Sequence, residues 1–118
     1  MYRTEYGELF MKFNEYQVQT KTTAIYPEDK GLIYTALGLC SEAGEVADKI
    51  KKSIRDKGGD LDEADLLGLK RELGDVLWYV ACLSSELGFS LQDVAEGNLD
   101  KLRSRADRDQ LGGSGDDR

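Results

Sequence analysis

Leu37-Gly38-Leu39-Cys40-Ser41-Glu42-Ala43-Gly44-Glu45-Val46 returns thirty residues later as Leu67-Gly68-Leu69-Lys70-Arg71-Glu72-Leu73-Gly74-Asp75-Val76. Six of the ten positions are identical, and the second acid changes only from glutamate to aspartate. Each copy carries two carboxylates three residues apart, which on an α-helix project from one face and can grip the same cation. Two such helices packed antiparallel bring four acids together. At helical spacing Glu42 falls between Leu39 and Val46, and Glu72 between Leu69 and Val76, on the stripe that a helical hairpin normally buries. Carboxylates taken out of water side by side repel one another unless protons or cations neutralise them, and hard divalent cations are the natural counter-charge.

The glycines inside the repeat point the same way. Gly38, Gly44, Gly68 and Gly74 fall within the predicted helices, where each costs about 1 kcal/mol relative to alanine. Close backbone approach, or room for a ligand beside the acids, is the expected compensation.

Outward from the repeat, apolar residues recur at three- and four-residue intervals. Ile33, Leu37, Cys40, Ala43, Ala47, Ile50 and Ile54 make a long helix ending at Gly58-Gly59. Asp60 or Asp62 then caps a third helix with Leu66, Leu69, Leu73, Val76, Val80, Leu83 and Leu87 on one face, stopped by Gly88. Ser90, with Asp93 three residues on, opens a fourth helix carrying Leu91, Val94, Ala95, Leu99 and Leu102. Before the repeat, Tyr6, Leu9, Phe10, Phe13 and Val18 predict a looser first helix from about Glu5 to Thr20, and Pro27 marks the entry to the second. No convincing alternation of strand type occurs, so the expected fold is all-α. It is expected as one domain over residues 1–110, with 111–118 a flexible glycine-rich tail.

Composition narrows the chemistry. A net charge of −7 disfavours a grip on DNA or RNA, which depends on a basic surface, whereas a small polyanion remains open because metal ions can receive its phosphates. Histidine is absent, and with it any Ser-His-Asp triad, HExxH zinc site or Glu-x-x-His di-iron bundle; a GxxxxGK[ST] loop is also lacking. Catalysis here must run on carboxylates, metal-bound water and lysine or arginine. Cys40 and Cys82 lie in apolar helical runs without ligand spacing and are expected as reduced core residues. With no long apolar stretch, the protein is expected to be soluble and cytoplasmic, with no membrane partner.

Written as a pattern, the core is Glu42-x-x-Glu45, twenty-six intervening residues, then Glu72-x-x-Asp75. Here the sequence resembles the MazG-like nucleotide pyrophosphohydrolases, most closely their small stand-alone phage and bacterial members, over roughly residues 12–110. Gly74 within Glu-Leu-Gly-Asp-Val, Tyr79 one turn beyond Asp75, and Asn98-x-x-Lys101-Leu102-x-x-Arg105 carry the likeness further. The resemblance implies a helical bundle built around the antiparallel pair. It also implies cleavage of a nucleoside triphosphate between its α and β phosphates, giving a monophosphate and pyrophosphate. Mg²⁺ is the implied cofactor, with Mn²⁺ able to substitute, and Glu42, Glu45, Glu72 and Asp75 are its implied ligands. One of the first pair would also orient or deprotonate the attacking water. Tyr79, Asn98, Lys101 and Arg105 are implied to contact substrate. Relatives pair into dimers or tetramers, and strongly apolar stripes on two long helices favour the same.

Other residues are less decided by sequence. Lys49 and Lys52 continue the turns after Glu45 and could reach phosphates, though a solvated basic face is the simpler reading. Gln17, Gln19, Thr20 and Tyr26 could read a base edge, but polar residues of this kind usually face water. Two alternatives stay open: a sister enzyme acting on phosphoribosyl-ATP or a guanosine alarmone, and a non-catalytic helical protein that binds a cation or docks a partner.

Overall fold

A computed structural model describes residues 11–118. Its described elements are all helical: α1 (Phe13–Thr20), a 3-10 turn at Lys21–Thr23 and another at Glu28–Lys30, α2 (Gly31–Lys57), α3 (Glu63–Glu86) and α4 (Leu91–Asp107). The fold is therefore all-α, as the apolar periodicity predicts. The stretch 5–10 of the expected first helix lies outside the described residues. Pro27 precedes a single 3-10 turn instead of opening α2 directly, so the long helix begins at Gly31.

The α2–α3 hairpin is closed by chemistry visible in the sequence. Gly58 and Gly59 adopt left-handed φ values of 64° and 91°, and the Gly59 N–H donates to the Ser53 carbonyl at 3.1 Å, ending α2. Asp62, not Asp60, caps α3. The Asp65 N–H donates to Asp62 Oδ1 at 2.8 Å, and the Asp62 N–H donates back to Asp65 Oδ2 at 3.0 Å. Lys57 donates to both carboxylates at 2.8 Å, tying the last turn of α2 to the first of α3. At the other end of α3, Gly88 turns left-handed, and Ser90 caps α4 by accepting the Asp93 N–H at 3.0 Å.

α2 and α3 pack along their length, α1 lies against α3, and α4 rests on α1 and α3. Small residues line the tightest part of this packing: Thr35, Ala81 and Cys82 are essentially sealed from solvent. Cys82 is thus a core residue as expected. Cys40 is exposed and does not join it. The unit is open: its radius of gyration is 17.2 Å, against about 13.5 Å for a compact chain of this length.

Gln17 is the hub between α1, α3 and α4. Its buried amide nitrogen donates to Ser85 Oγ at 3.0 Å and the Phe89 carbonyl at 2.9 Å, while its oxygen accepts the Leu91 N–H at 2.8 Å. Beyond α4 the chain folds back. Arg105, buried to 6% exposure, donates to the Asp116 carbonyl at 2.8 Å, and Arg108 donates to the terminal Arg118 carbonyl at 2.8 Å. Residues 111–118, expected as a flexible tail, therefore have contacts of their own with α4. No helix among the described residues is long and apolar enough to cross a membrane.

Candidate functional site

Three of the four repeat acids converge. Carboxylate oxygens of Glu42 from α2 and of Glu72 and Asp75 from α3 lie within 4.8 Å of one another. Glu42 and Glu72 are half-buried and Asp75 is exposed; Glu45, also exposed, is not one of the three, although its charge adds to the upward push on the Glu42 carboxyl. This placement follows from the hairpin. A five-residue connection sets α2 and α3 antiparallel, and the thirty-residue offset of the repeat brings equivalent turns side by side.

The electrostatics report a shortage of positive charge. Burial, then the Asp75 and Glu72 carboxylates, push the Glu42 carboxyl above its ordinary range, and a side-chain hydrogen bond with Glu72 adds to the shift. A carboxyl pushed upward by neighbouring carboxylates is expected of an oxygen-donor cluster whose negative charge a divalent cation would neutralise. The donor set fits such an ion: all three groups are carboxylates, and the open side leaves positions for water or substrate. One positive charge already faces it, since Lys49 Nζ lies 3.6 Å from Glu72 Oε1.

Aromatic residues wall the site toward the start of α2. The Tyr79 ring occupies the space over Gly38, where a Cβ would overlap it. Burial raises the Tyr79 hydroxyl pKa, followed by the Tyr34 hydroxyl beside it and the Glu42 carboxylate. Tyr34 packs 6.4 Å from Tyr79 and stacks on Tyr26 at 5.1 Å between ring centres, and Trp78 meets Tyr79 edge-on at 5.0 Å. No motif in the sequence marks Tyr34, yet its spacing does. Tyr34, Gly38 and Glu42 are spaced by four residues and run along one face of α2. Tyr16 of α1 stands on another side, its hydroxyl pKa raised by burial, then by Cys82 and by Asp75.

The remaining sequence candidates are placed differently. Asn98 and Lys101 are exposed on α4, and among the described residues their side chains enter no hydrogen bond or ion pair. Arg105 is turned to the carbonyls of the C-terminal segment, with its Nε buried and without a partner. Gln17 has its amide committed to the helix junction, Thr20 donates to the Gln17 carbonyl at 2.7 Å, and Tyr26 donates to Glu86 at 3.2 Å. Three of the four residues considered for reading a base thus hold the fold together. Gly38 and Gly68 have neighbours over their bare faces, as the repeat predicts, but Gly44 and Gly74 look onto open space.

Comparison with known proteins identifies the family. The family described as the MazG nucleotide pyrophosphohydrolase domain matches residues 32–108, which take in α2 from Leu32 onward, all of α3 and α4, and every converging acid. A protein named "Gene 37 protein" from Mycobacterium phage L5 is 46% identical over 114 residues, covering 92% of this chain and all of the relative. No solved structure matches. With a family match over most of its length and its paired acids brought together across a helical hairpin, the chain belongs to the MazG nucleotide pyrophosphohydrolase family.

Proposed function

We propose that the protein is a Mg²⁺-dependent nucleoside triphosphate pyrophosphohydrolase, cleaving its substrate between the α and β phosphates to release a monophosphate and pyrophosphate. The observation that carries this reading is the convergence of Glu42, Glu72 and Asp75 from two helices, with Glu42 held toward its protonated form. Bound magnesium would supply charge neutralisation for the phosphates and activation of a water molecule. Glu42, Glu72 and Asp75 would hold it. Glu45, one turn from Glu42 and outside the triad, is the acid left to orient the attacking water or take its proton. The Tyr79 hydroxyl borders the acids and can hydrogen-bond to sugar or phosphate. Asn98 and Lys101, unengaged on α4, would contact substrate only from outside the triad, and Arg105 would first have to leave the C-terminal segment.

A homodimer or homotetramer is part of the proposal. Leu37 is 66% exposed, Ile33 63% and Leu73 57%, alongside exposed Leu32, Leu66 and Leu67 on the same two helices. A soluble monomer rarely leaves that much apolar surface wet. A second copy lying along the hairpin would cover it.

The test is direct. The purified protein is incubated with each nucleoside triphosphate and Mg²⁺, and the products are resolved by chromatography. Monophosphate and pyrophosphate in equal amounts support the reading. Release of inorganic phosphate alone, or no turnover of any nucleotide, defeats it.

A further inference from the structure

Lys49 is not where a solvated basic face would put it. From α2, one turn beyond Glu45, its side chain crosses to α3 at Gly68, where a Cβ would lie 3.6 Å from Lys49 Cε and Nζ. The ammonium ends 3.6 Å from Glu72 Oε1, with the lysine side chain 39% exposed and the glutamate 18%. The neighbouring lysines are engaged elsewhere: Lys51 and Lys52 pair with Asp48 at 3.0 and 2.6 Å, and Lys57 pairs with Asp62 and Asp65. Lys49 is the lysine of α2 that addresses the acid triad.

Its contact is loose. Charge-assisted hydrogen bonds close to about 2.7–2.9 Å, so a 3.6 Å separation is an attraction between charges, not a locked bond. Partly exposed pairs of this kind contribute little and exchange readily. Beside the ammonium, on the side toward the hairpin turn, a cleft of about 280 Å³ opens between α2 and α3. Lys49, Lys52, Lys57, Ser53 and Gly68 are among its walls, together with the carboxylates Asp56 and Asp65, of which Asp65 is paired with Lys57.

We infer that Lys49 is a phosphate-binding residue. It stands in as the counter-charge of Glu72 while the triad lacks a divalent ion, and it passes to the terminal phosphates of a triphosphate once such an ion takes Glu72. The cleft toward Ser53 and Gly68 is the subsite for those phosphates and for the departing pyrophosphate. This inference rests on the pyrophosphohydrolase reading and deepens it. The physical reasoning is charge balance: a dication at Glu72 repels a fixed ammonium beside it, and the incoming polyphosphate attracts the same ammonium. A lysine on a flexible four-carbon stem can answer both without backbone movement. Arg105 cannot serve while its guanidinium is held by the Asp116 carbonyl.

Two titrations of the full chain without nucleotide test it. Manganese alone is followed by electron paramagnetic resonance, and inorganic pyrophosphate in saturating magnesium by calorimetry. In Lys49→Met and Lys49→Gln, manganese should bind roughly threefold more tightly or better, because a competing cation is gone. Pyrophosphate should bind about tenfold more weakly in the same variants, and Lys49→Arg should recover most of that loss. Circular dichroism should match the parent. Manganese affinity that is unchanged or lowered, or pyrophosphate affinity that is retained, overturns the inference. The two levels separate cleanly. A parent enzyme that splits triphosphates while Lys49→Met binds both probes as the parent does sinks Lys49 alone. A parent that turns over no nucleotide, with both shifts present, sinks the enzyme reading and leaves a metal–pyrophosphate site.

Discussion

The ring of Tyr79 on α3 fills the volume that a side chain at Gly38 on α2 would need. This contact joins the aromatic wall to the acid site, because Tyr79 also feels Glu42 one turn beyond Gly38. Alanine in an exposed helix interior stabilises by about 1 kcal/mol over glycine. At Gly38 the sign should reverse, since displacing a packed ring costs about 1–3 kcal/mol. Urea denaturation of Gly38→Ala should show a lower midpoint than the parent. A higher one would mean that the ring moves aside freely.

Glu72 is a proposed metal ligand, and its Oε1 lies 3.6 Å from Lys49 Nζ. Loss of a residue that merely supports a metal ligand costs up to about a hundredfold, so Glu72→Gln should lower pyrophosphate release by more than that. Helical content and oligomer size should hold. Survival of turnover would remove Glu72 from the ligand set, and unfolding would make it a structural acid.

Gln17 separates a fold role from a substrate role. Gln17→Leu strands the Phe89 carbonyl and the Leu91 N–H, while Ser85 Oγ keeps its bond to the Ala81 carbonyl, and leaving buried polar groups unpaired costs about 1–3 kcal/mol each. A loss of about 2 kcal/mol or more in denaturant unfolding is expected, with nucleotide preference unchanged in the protein that remains folded. A changed ranking among nucleotides would return Gln17 to the substrate site.

The Lys57–Asp62 pair sets an acid limb. The Lys57 ammonium, then the Asp65 N–H, lower the Asp62 carboxyl to about 2, below its ordinary value of about 3.9. A carboxyl lowered by folding stabilises above its unfolded pKa and loses that contribution as pH falls toward its folded one. Thermal melts should therefore fall from about pH 4 to about pH 2. Asn at position 62 can still cap the helix but cannot pair with Lys57, so Asp62→Asn should flatten that fall. An identical slope in parent and variant would assign the acid limb to other carboxylates.

The exposed leucines and isoleucines of α2 and α3 should be covered in solution. Light scattering is expected to give a dimer or larger, and Leu37→Glu should shift the population toward monomer. A parent that is monomeric at working concentration would contradict this.

Much of this was legible in the chain itself because it is local. Helical periodicity set α2, α3 and α4. Gly58-Gly59 and Gly88 marked two helix ends, Ser90 capped α4, and the duplicated acids announced a shared site. Backbone conformation and i, i+3 spacing act within a few residues, so sequence encodes them directly. Only the tertiary structure could decide which acids meet, because that depends on the rotation and register of α2 against α3. It placed Glu42, Glu72 and Asp75 together and Glu45 outside, brought Tyr34 to the site, sent Gln17 to the helix junction, and turned Arg105 to the C-terminal segment. Those outcomes rest on packing between residues as far apart as Gln17 and Leu91, where the helix interior has few places for a polar side chain and each is filled by whichever group can reach a partner.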